Sequence, residues 1–321
     1  MDNPVLFSIV IPVKNGDFWL ENLFQKLMEQ TLFHQSEIIV LDSGSTDRSL
    51  EIISRYPVRL IKIPPGEFNH GDTRNVGARE AKGQYVVMTV QDAVPNSNLW
   101  LQYFLDGFAS EKVAGVCGQQ IVPHDLDKNP VRWFLFFSPP QLLFNHFDKP
   151  DDLLNLSPAE QRQKCGWDNV TAAYRRETLL LHPFSRIDFA EDICWAKDTL
   201  LKGYTLAHNN HARVYHYHHQ IPEYVLPRYF SVYYFEYKIF KLKPKPDESM
   251  LRYMLLTIRI LLRESSVSWP QKIKWFVFNA RYRYALQKTI AIFNKAAAKG
   301  DAFLDMQYQQ ICKKPPQAPK Y

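Results

Sequence analysis

Four short apolar runs constrain this chain more than any other feature: FSIVIPV at 7–13, EIIVL at 37–41, VRLIKI at 58–63 and YVVMTV at 85–90. The first and last are rich in β-branched residues and show no apolar–polar alternation, which reads as strands buried on both faces. Between the runs lie segments of helical character. Apolar residues fall at 20, 23, 24, 27 and 28, then at Leu50, Ile52 and Ile53, and a further segment, Thr73–Lys82, is closed by Gly83. The first 95 residues therefore predict β-α-β-α-β-loop-α-β, the order of a mostly parallel α/β sheet with helices on its faces. In open sheets of this kind ligands sit at the carboxyl ends of the strands. Those ends carry Lys14 and Asn15, Asp42 and Ser43, and Gln91 and Asp92. Carboxylates repeated in one crevice suit a metal or a polyhydroxyl ligand, while each taken alone is equally an ordinary turn residue.

A chain of 321 residues that is 46% hydrophobic and 14% aromatic is globular, and its length allows one large domain or two smaller ones. The opening MDNPVLFSIVIPVKNG lacks the basic start and long apolar stretch of a signal peptide. No run approaches the roughly 18 apolar residues of a membrane-spanning helix. Four cysteines with no CxxC pair suit free thiols in a reducing cytoplasm. The net charge of +6 hides an asymmetry: residues 224–321 hold 18 Lys/Arg against 6 Asp/Glu, and the rest holds 21 against 27. An acidic body with a basic C-terminal region points to a membrane surface or a polyanionic partner.

Further along, a helix is expected over Leu99–Phe108 and a strand region over Val113–Pro123, broken at Gly118. The proline-broken aromatic stretch with FLFFSPPQLLFNHF reads as core or as a cover for an acceptor, in preference to a lipid contact. A strand follows in WDNVTAAY, then helices opening at Arg175-Arg176-Glu177 and at Phe189-Ala190-Glu191-Asp192. Short extended segments at 204–208 and 212–216 run into Tyr217-His218-His219. After Pro222, basic amphipathic helices are expected over 225–241, 251–262 and 273–293. Such helices lie on anionic bilayers, with arginines and lysines snorkelling; the alternative is a helical subdomain with a solvated basic face. The expected organisation is an α/β domain over 1–222, a basic amphipathic helical region over 223–312 and a disordered proline-rich tail over 313–321.

The ordered set SIVIPVKNG, VLDSGSTDRS, FNHGDTRNVGA, TVQDAVP, FAEDICWA and VYHYHH resembles family 2 glycosyltransferases of the GT-A fold. Within them it is most similar to the bacterial rhamnosyltransferase branch, where FNHG-x-TRN and TQDA-x-P recur; VQDAVP departs slightly from the second. The resemblance covers residues 7–219 and not the basic C-terminal region.

The resemblance implies an inverting, metal-dependent transfer of a sugar, L-rhamnose from its dTDP donor above others, to a hydroxyl of a growing surface polysaccharide or lipid-linked glycan. Asp42 and Ser43 would bind the nucleoside, with Pro12 and Lys14 lining the same pocket. Arg74 and Asn75 follow the polar loop, where a guanidinium can pair with a diphosphate or with Asp92. His70, Asp72 and Gln91 complete the donor set. Val90-Gln91-Asp92 occupies the place of a metal-binding DxD, so Asp92 alone of that triplet can ligate Mg²⁺ or Mn²⁺, with His216 or His218 as second ligand. Asp192 would be the base that takes the acceptor proton, oriented by Glu191. A helix N-terminus there would keep it ionised. Asp168, Asn169 and Trp167 would line the acceptor side. No nucleic-acid partner is expected, and the location expected is the cytoplasm, peripheral on the inner face of the membrane. The alternatives are a relative using a UDP- or GDP-hexose and a non-catalytic GT-A-like scaffold. A nucleotidyltransferase would need a Gly-rich triphosphate loop that VKNGDF does not provide.

Overall fold

A computed structural model describes residues 4–135, 137–218, 220–245 and 249–312; the expected tail at 313–321 and His219 lie outside these. The chain divides into two compact units, Met1–Ile121 with Phe136–His216, and Val122–Leu135 with Tyr217–Tyr321.

The first unit opens with β1 (Phe7–Val13), α1 (Asp17–Met28), β2 (Ser36–Asp42), α2 (Ser49–Ile53), β3 (Val58–Lys62), α3 (His70–Glu80) and β4 (Tyr85–Thr89). It continues with β5 (Val94–Pro95), α4 (Trp100–Gly107), β6 (Val113–Ile121), β7 (Leu142–Asn145), α5 (Pro150–Leu154) and α6 (Pro158–Lys164). It ends with β8 (Thr171–Arg175), α7 (Arg176–Leu181), α8 (Glu191–Leu201) and β9 (Thr205–Tyr215). Among the described residues nine strands form one sheet in the order β3-β2-β1-β4-β8-β6-β9-β5, with β7 also on β9. Strands β1–β4, β6 and β9 run the same way, and β5, β7 and β8 oppose them. This is the mostly parallel α/β sheet that the strand–helix alternation predicts.

Burial on both faces explains the absent alternation. In β1, Phe7, Ile9, Val10, Ile11 and Val13 are all inside, and in β4 all five residues are. Leu20, Leu23, Phe24 and Leu27 of α1 cover one face together with Trp100 and Phe104 of α4. On the α3 side the helix rides close to β1: a Cβ at Gly77 would sit 2.4 Å from Val10 Cγ1, so only glycine permits that approach. The strand over 113–121 shifts register between Cys117 and Gln119, the irregularity expected at Gly118. Two departures stand out. The segments around 204–216 form one strand, because β9 is paired along its length by β6, β7 and β5. The FLFFSPPQLLFNHF stretch supplies β7 and leaves Phe137, Leu142, Leu143 and Phe144 exposed, so its first-unit part is not core.

The second unit contains α9 (Val225–Phe240), α10 (Met250–Arg263), α11 (Trp269–Ala298) and α12 (Asp301–Cys312), the last not anticipated. Phe230 of α9, Phe293, Ala296 and Ala297 of α11, and Leu304 and Tyr308 of α12 form its main core. The segment 122–135 belongs here because Asn129 and Asn279 exchange amide hydrogen bonds of 2.9 and 3.3 Å, and Val131 packs with Leu261, Val267 and Trp275. Among the described residues no helix is long and apolar enough to cross a membrane.

Candidate active site

The loops after β1 and β2 are laced into one surface at the carboxyl edge of the sheet. Asn15 takes a left-handed conformation (φ 50°) and its side chain accepts from Thr46 N at 2.9 Å. Ser45 Oγ, Ser49 Oγ and Asp47 accept from the main-chain N–H groups of Asn15, Gly16 and Asp17 at 2.9, 2.8 and 3.1 Å. These positioning residues were not singled out from the sequence, although the run DSGSTDRS contains them. Asp42 is buried at the end of β2, its carboxylate accepting from Gly44 N at 3.1 Å and Ser45 N at 3.2 Å. The Ser43 hydroxyl donates to Val13 O at 3.2 Å, so it holds β1 to β2. Pro12 is half-buried in β1 and Lys14 is exposed just beyond it. Gln91 clasps the main chain of Lys14 from both sides of its amide, at 2.9 and 3.2 Å. Its side chain therefore fixes the loop that would face a donor.

The FNHGDTRN stretch is a staple between α3 and residues 184–191. Asn69 caps α3, accepting from Gly71 N and Asp72 N at 3.0 and 3.1 Å, while its amide nitrogen donates to Ile187 O at 3.0 Å. A Cβ on Gly71 would meet Ser185 O at 2.4 Å, so glycine is what lets the two segments touch. Asn75, expected at the donor, has both ends of its amide engaged by the main chain of Phe184, at 2.9 and 3.0 Å. Arg74 is buried and pairs with Glu191 at 2.8 Å instead of with Asp92. His70 is exposed at the start of α3, and Asp72 pairs with exposed Arg186 at 2.8 Å.

That staple delivers the acids. Ala190 adopts φ 68°, a conformation unfavourable for a side-chain-bearing residue, and aims Glu191 and Asp192 from the first turn of α8. Asp192 accepts from Ile193 N at 2.8 Å and from Asn169 N at 3.2 Å. The Asn169 side chain donates to Glu191 at 3.2 Å and accepts from the Tyr174 hydroxyl at 2.5 Å, which in turn accepts from Trp167 Nε1 at 2.7 Å. Trp167, expected on the acceptor side, is thus 5% exposed and packed against Trp195; its part is to hold Tyr174 and, through it, Asn169. Burial first, then the charges of Glu191 and Asp168, push Asp192 up to about 7, against the pull of Arg74 and its hydrogen bonds. The helix terminus, expected to keep this acid ionised, is outweighed by desolvation.

A second acid centre lies at the end of β4. Asp92 Oδ1 is 3.4 Å from His216 Nε2, and His216 Nδ1 is 2.7 Å from Gln120 Oε1. The Gln120 amide nitrogen donates to Asp168, whose other oxygen accepts from Val170 N at 2.9 Å. Burial raises the carboxyl of Asp168. The sequence reading missed Gln120; its position at a strand end in the shared crevice was the available signal. The relay fixes the imidazole tautomer. An acceptor at Asp168 turns the Gln120 oxygen toward His216, so His216 carries its proton on Nδ1. Its Nε2 then faces the Asp92 carboxylate, and with that nitrogen deprotonated the pair offers one nitrogen and one oxygen ligand to a cation. A histidine held through its second nitrogen beside a carboxylate fits a divalent metal. Val90, in place of the first acid of the triplet, packs against the core. His218 lies two residues beyond His216, in the second unit.

Comparison with known proteins places the chain in a family. Residues 8–155 match the family described as Glycosyl transferase family 2. The chain is similar to the O-antigen chain rhamnosyltransferase WbaN of Salmonella anatum, 33% identical over 233 residues, 70% of each chain. It is similar to RfbN of Salmonella typhimurium, 29% identical over 235 residues, again 70% of each. Among solved structures, glucosyl-3-phosphoglycerate synthase from Mycobacterium tuberculosis, in complex with Mn²⁺ and UDP-glucose, shares the fold. Its TM-score is 0.51 at 17% identity, over 75% of this chain and 81% of that one.

Proposed function

Because this chain belongs to the family 2 glycosyltransferases, we propose that it transfers L-rhamnose from a dTDP donor, with inversion, to a hydroxyl of a growing surface polysaccharide or lipid-linked glycan. The observation that carries the reading is Asp192: a carboxyl pushed up to about 7 and held at 3.2 Å by Asn169 N and 2.8 Å by Ile193 N. A base poised near neutrality is suited to general catalysis. In the proposed step Asp192 accepts the acceptor hydroxyl proton as that oxygen bonds to the anomeric carbon and the bond to the nucleoside diphosphate breaks. Glu191, tied to Arg74 and Asn169, fixes the orientation of the base. Asp168 and Asn169 form the floor on the acceptor side. Asp42, with Pro12, Lys14 and Ser43 around it, receives the nucleoside. His70 and Asp72, the outward-facing members of the α3 staple, face the donor sugar.

Asp92 and His216 would hold a divalent cation, Mg²⁺ or Mn²⁺, with His218 two residues on as a further ligand. When bound it would neutralise charge developing on the leaving diphosphate. The donor preference rests on the rhamnosyltransferase relatives; a UDP- or GDP-hexose would use the same groups.

The helical unit gives this enzyme a membrane-facing side in our reading. Leu251, Leu255, Ile258 and Leu262 recur every three to four residues on α10 and are exposed, as are Trp269, Ile273 and Val277 along α11. Exposed Arg252, Arg259, Arg263 and Lys274 flank them, which matches an anionic bilayer surface.

The decisive experiment is turnover of a panel of nucleotide sugars with and without EDTA. dTDP-rhamnose should be consumed and chelator should stop it. Consumption of no donor removes the enzyme reading, a different preferred donor removes the rhamnose reading, and activity indifferent to EDTA removes the metal. Flotation with phosphatidylglycerol vesicles should weaken as salt rises; no flotation at low salt removes the membrane-facing side.

A further inference from the structure

The second unit contains a cation that the proposed chemistry does not use. Arg132 is 9% exposed and its guanidinium lies 3.9 Å from the centroid of the Tyr282 ring. Among the described residues no carboxylate pairs with it and no oxygen accepts from its side chain, and Nε is buried without an acceptor. The strongest electrostatic neighbours besides Tyr282 are phenols, Tyr217, Tyr253 and Tyr229, and the carboxylate of Asp127 acts on Tyr217. Phenols are neutral at ordinary pH and give no counter-charge. A ring face offsets part of the cost of desolvating a cation, but five N–H donors remain to be satisfied.

The surroundings suit an anion rather than another apolar side chain. Tyr217, Tyr229 and Tyr253 are half-buried, so the cluster is not fully sealed from solvent. The Tyr282 hydroxyl donates to Tyr229 Oη at 2.6 Å, which leaves the Tyr229 proton to donate elsewhere. A second guanidinium, Arg283, lies 4.6 Å from the Tyr253 ring, bringing another positive charge to the same cluster. Guanidinium forks and phenol donors in one cluster match the oxygens of a phosphate.

We propose that Arg132, with Tyr229, Tyr253 and Arg283, forms a binding site for a phosphate or diphosphate group in the helical unit, separate from the donor site. The phosphate is carried either by a small soluble molecule or by a lipid, and both present the same oxygens to the guanidinium.

The test uses the full chain with the donor site filled with dTDP. Thermal unfolding is followed as inorganic pyrophosphate is added, and binding to phosphatidylglycerol and phosphatidylcholine vesicles is measured alongside. The variants are Arg132→Met, which preserves volume, and Lys202→Met, an exposed control in the first unit. The expected result is saturable stabilisation, or vesicle binding selective for the anionic lipid, that Arg132→Met weakens at least ~10-fold and Lys202→Met keeps. A response to pyrophosphate assigns a soluble phosphate, and a response to vesicles alone assigns a lipid. Arg132→Met should also leave the ligand-free protein as stable or more so, because it removes a buried uncompensated charge. A marked loss of ligand-free stability with unchanged phosphate and vesicle responses would make Arg132 a packing residue and overturn the proposal. Equal responses in all three proteins would do the same. Stabilisation by dTDP is read separately, so failure of the donor site and failure of this site give different results.

Discussion

Replacing Asp192 with asparagine should abolish transfer and at the same time stabilise the protein above neutral pH. The size follows from the position of the acid. Asp192 moves from an ordinary value of 3.8 to about 7, chiefly through burial. Each unit is worth about 1.4 kcal/mol, so holding this group ionised in the native state costs up to ~4 kcal/mol relative to the unfolded chain. Between these two values the unfolded chain has released its proton while the native chain still holds it. Rising pH therefore favours the unfolded state through that window, and the loss is complete above about 7. Asparagine mimics the protonated acid and does not titrate. The stability margin of Asp192→Asn over the parent should widen by ~2–3 kcal/mol between pH 5 and pH 8, roughly 5–10 °C in Tm for a unit of this size. Thermal unfolding of both proteins at the two pH values measures it. A margin that does not change with pH, or a variant less stable than the parent at pH 8, would refute the assignment of Asp192 as a desolvated acid.

Three further outcomes follow from the same geometry. The pH dependence of kcat/KM should rise with an apparent pKa near 7 as Asp192 loses its proton; a flat profile from pH 5 to 8 would exclude it as the base. Gln120→Leu releases His216 from its orienting bond and should weaken Mn²⁺ binding about 10–100-fold in calorimetry, whereas unchanged affinity would separate Gln120 from the metal centre. Arg74→Met leaves Glu191 buried without its cation and should cost about 3–5 kcal/mol in denaturant unfolding. Adding Glu191→Leu should restore most of that, and an additive loss in the double variant would show that the pair is not coupled.

The strands were legible in the sequence because burial on both faces writes itself as unbroken β-branched runs, and the strand ends then located Asp42 and Asp92. The helix beginning at 191–192 was legible from its flanking residues, whereas the role of its acids came only from the resemblance. What could not be read was which polar groups point into the crevice and which point back at the main chain. Asn75 and Gln91 carry the side chains a phosphate would want, yet both amides are saturated by main-chain groups of Phe184 and Lys14. Trp167 carries a ring a sugar would want and is packed inside. Residue type states what a side chain can bond to. Only tertiary packing states what reaches it first.

The stretch from Trp167 to Val170 shows why these inward-facing groups matter to the chemistry. Asp168 receives the amide of Gln120, and so is joined to His216 and Asp92. The next residue, Asn169, holds Asp192 by its main chain and Glu191 by its side chain. Two adjacent residues thus connect Asp92 to Asp192. The segment cannot shift for one without shifting for the other, because Thr171 and the residues that follow are paired in the middle of the sheet with β4 and β6. Asp92 and His216 would hold a divalent cation, and His216 is tied through Gln120 to a loop anchored in β8. The sheet thus fixes Asp92 and Asp192 relative to each other, and if Asp192 takes the proton as proposed, an in-line displacement would need both ends held in this way.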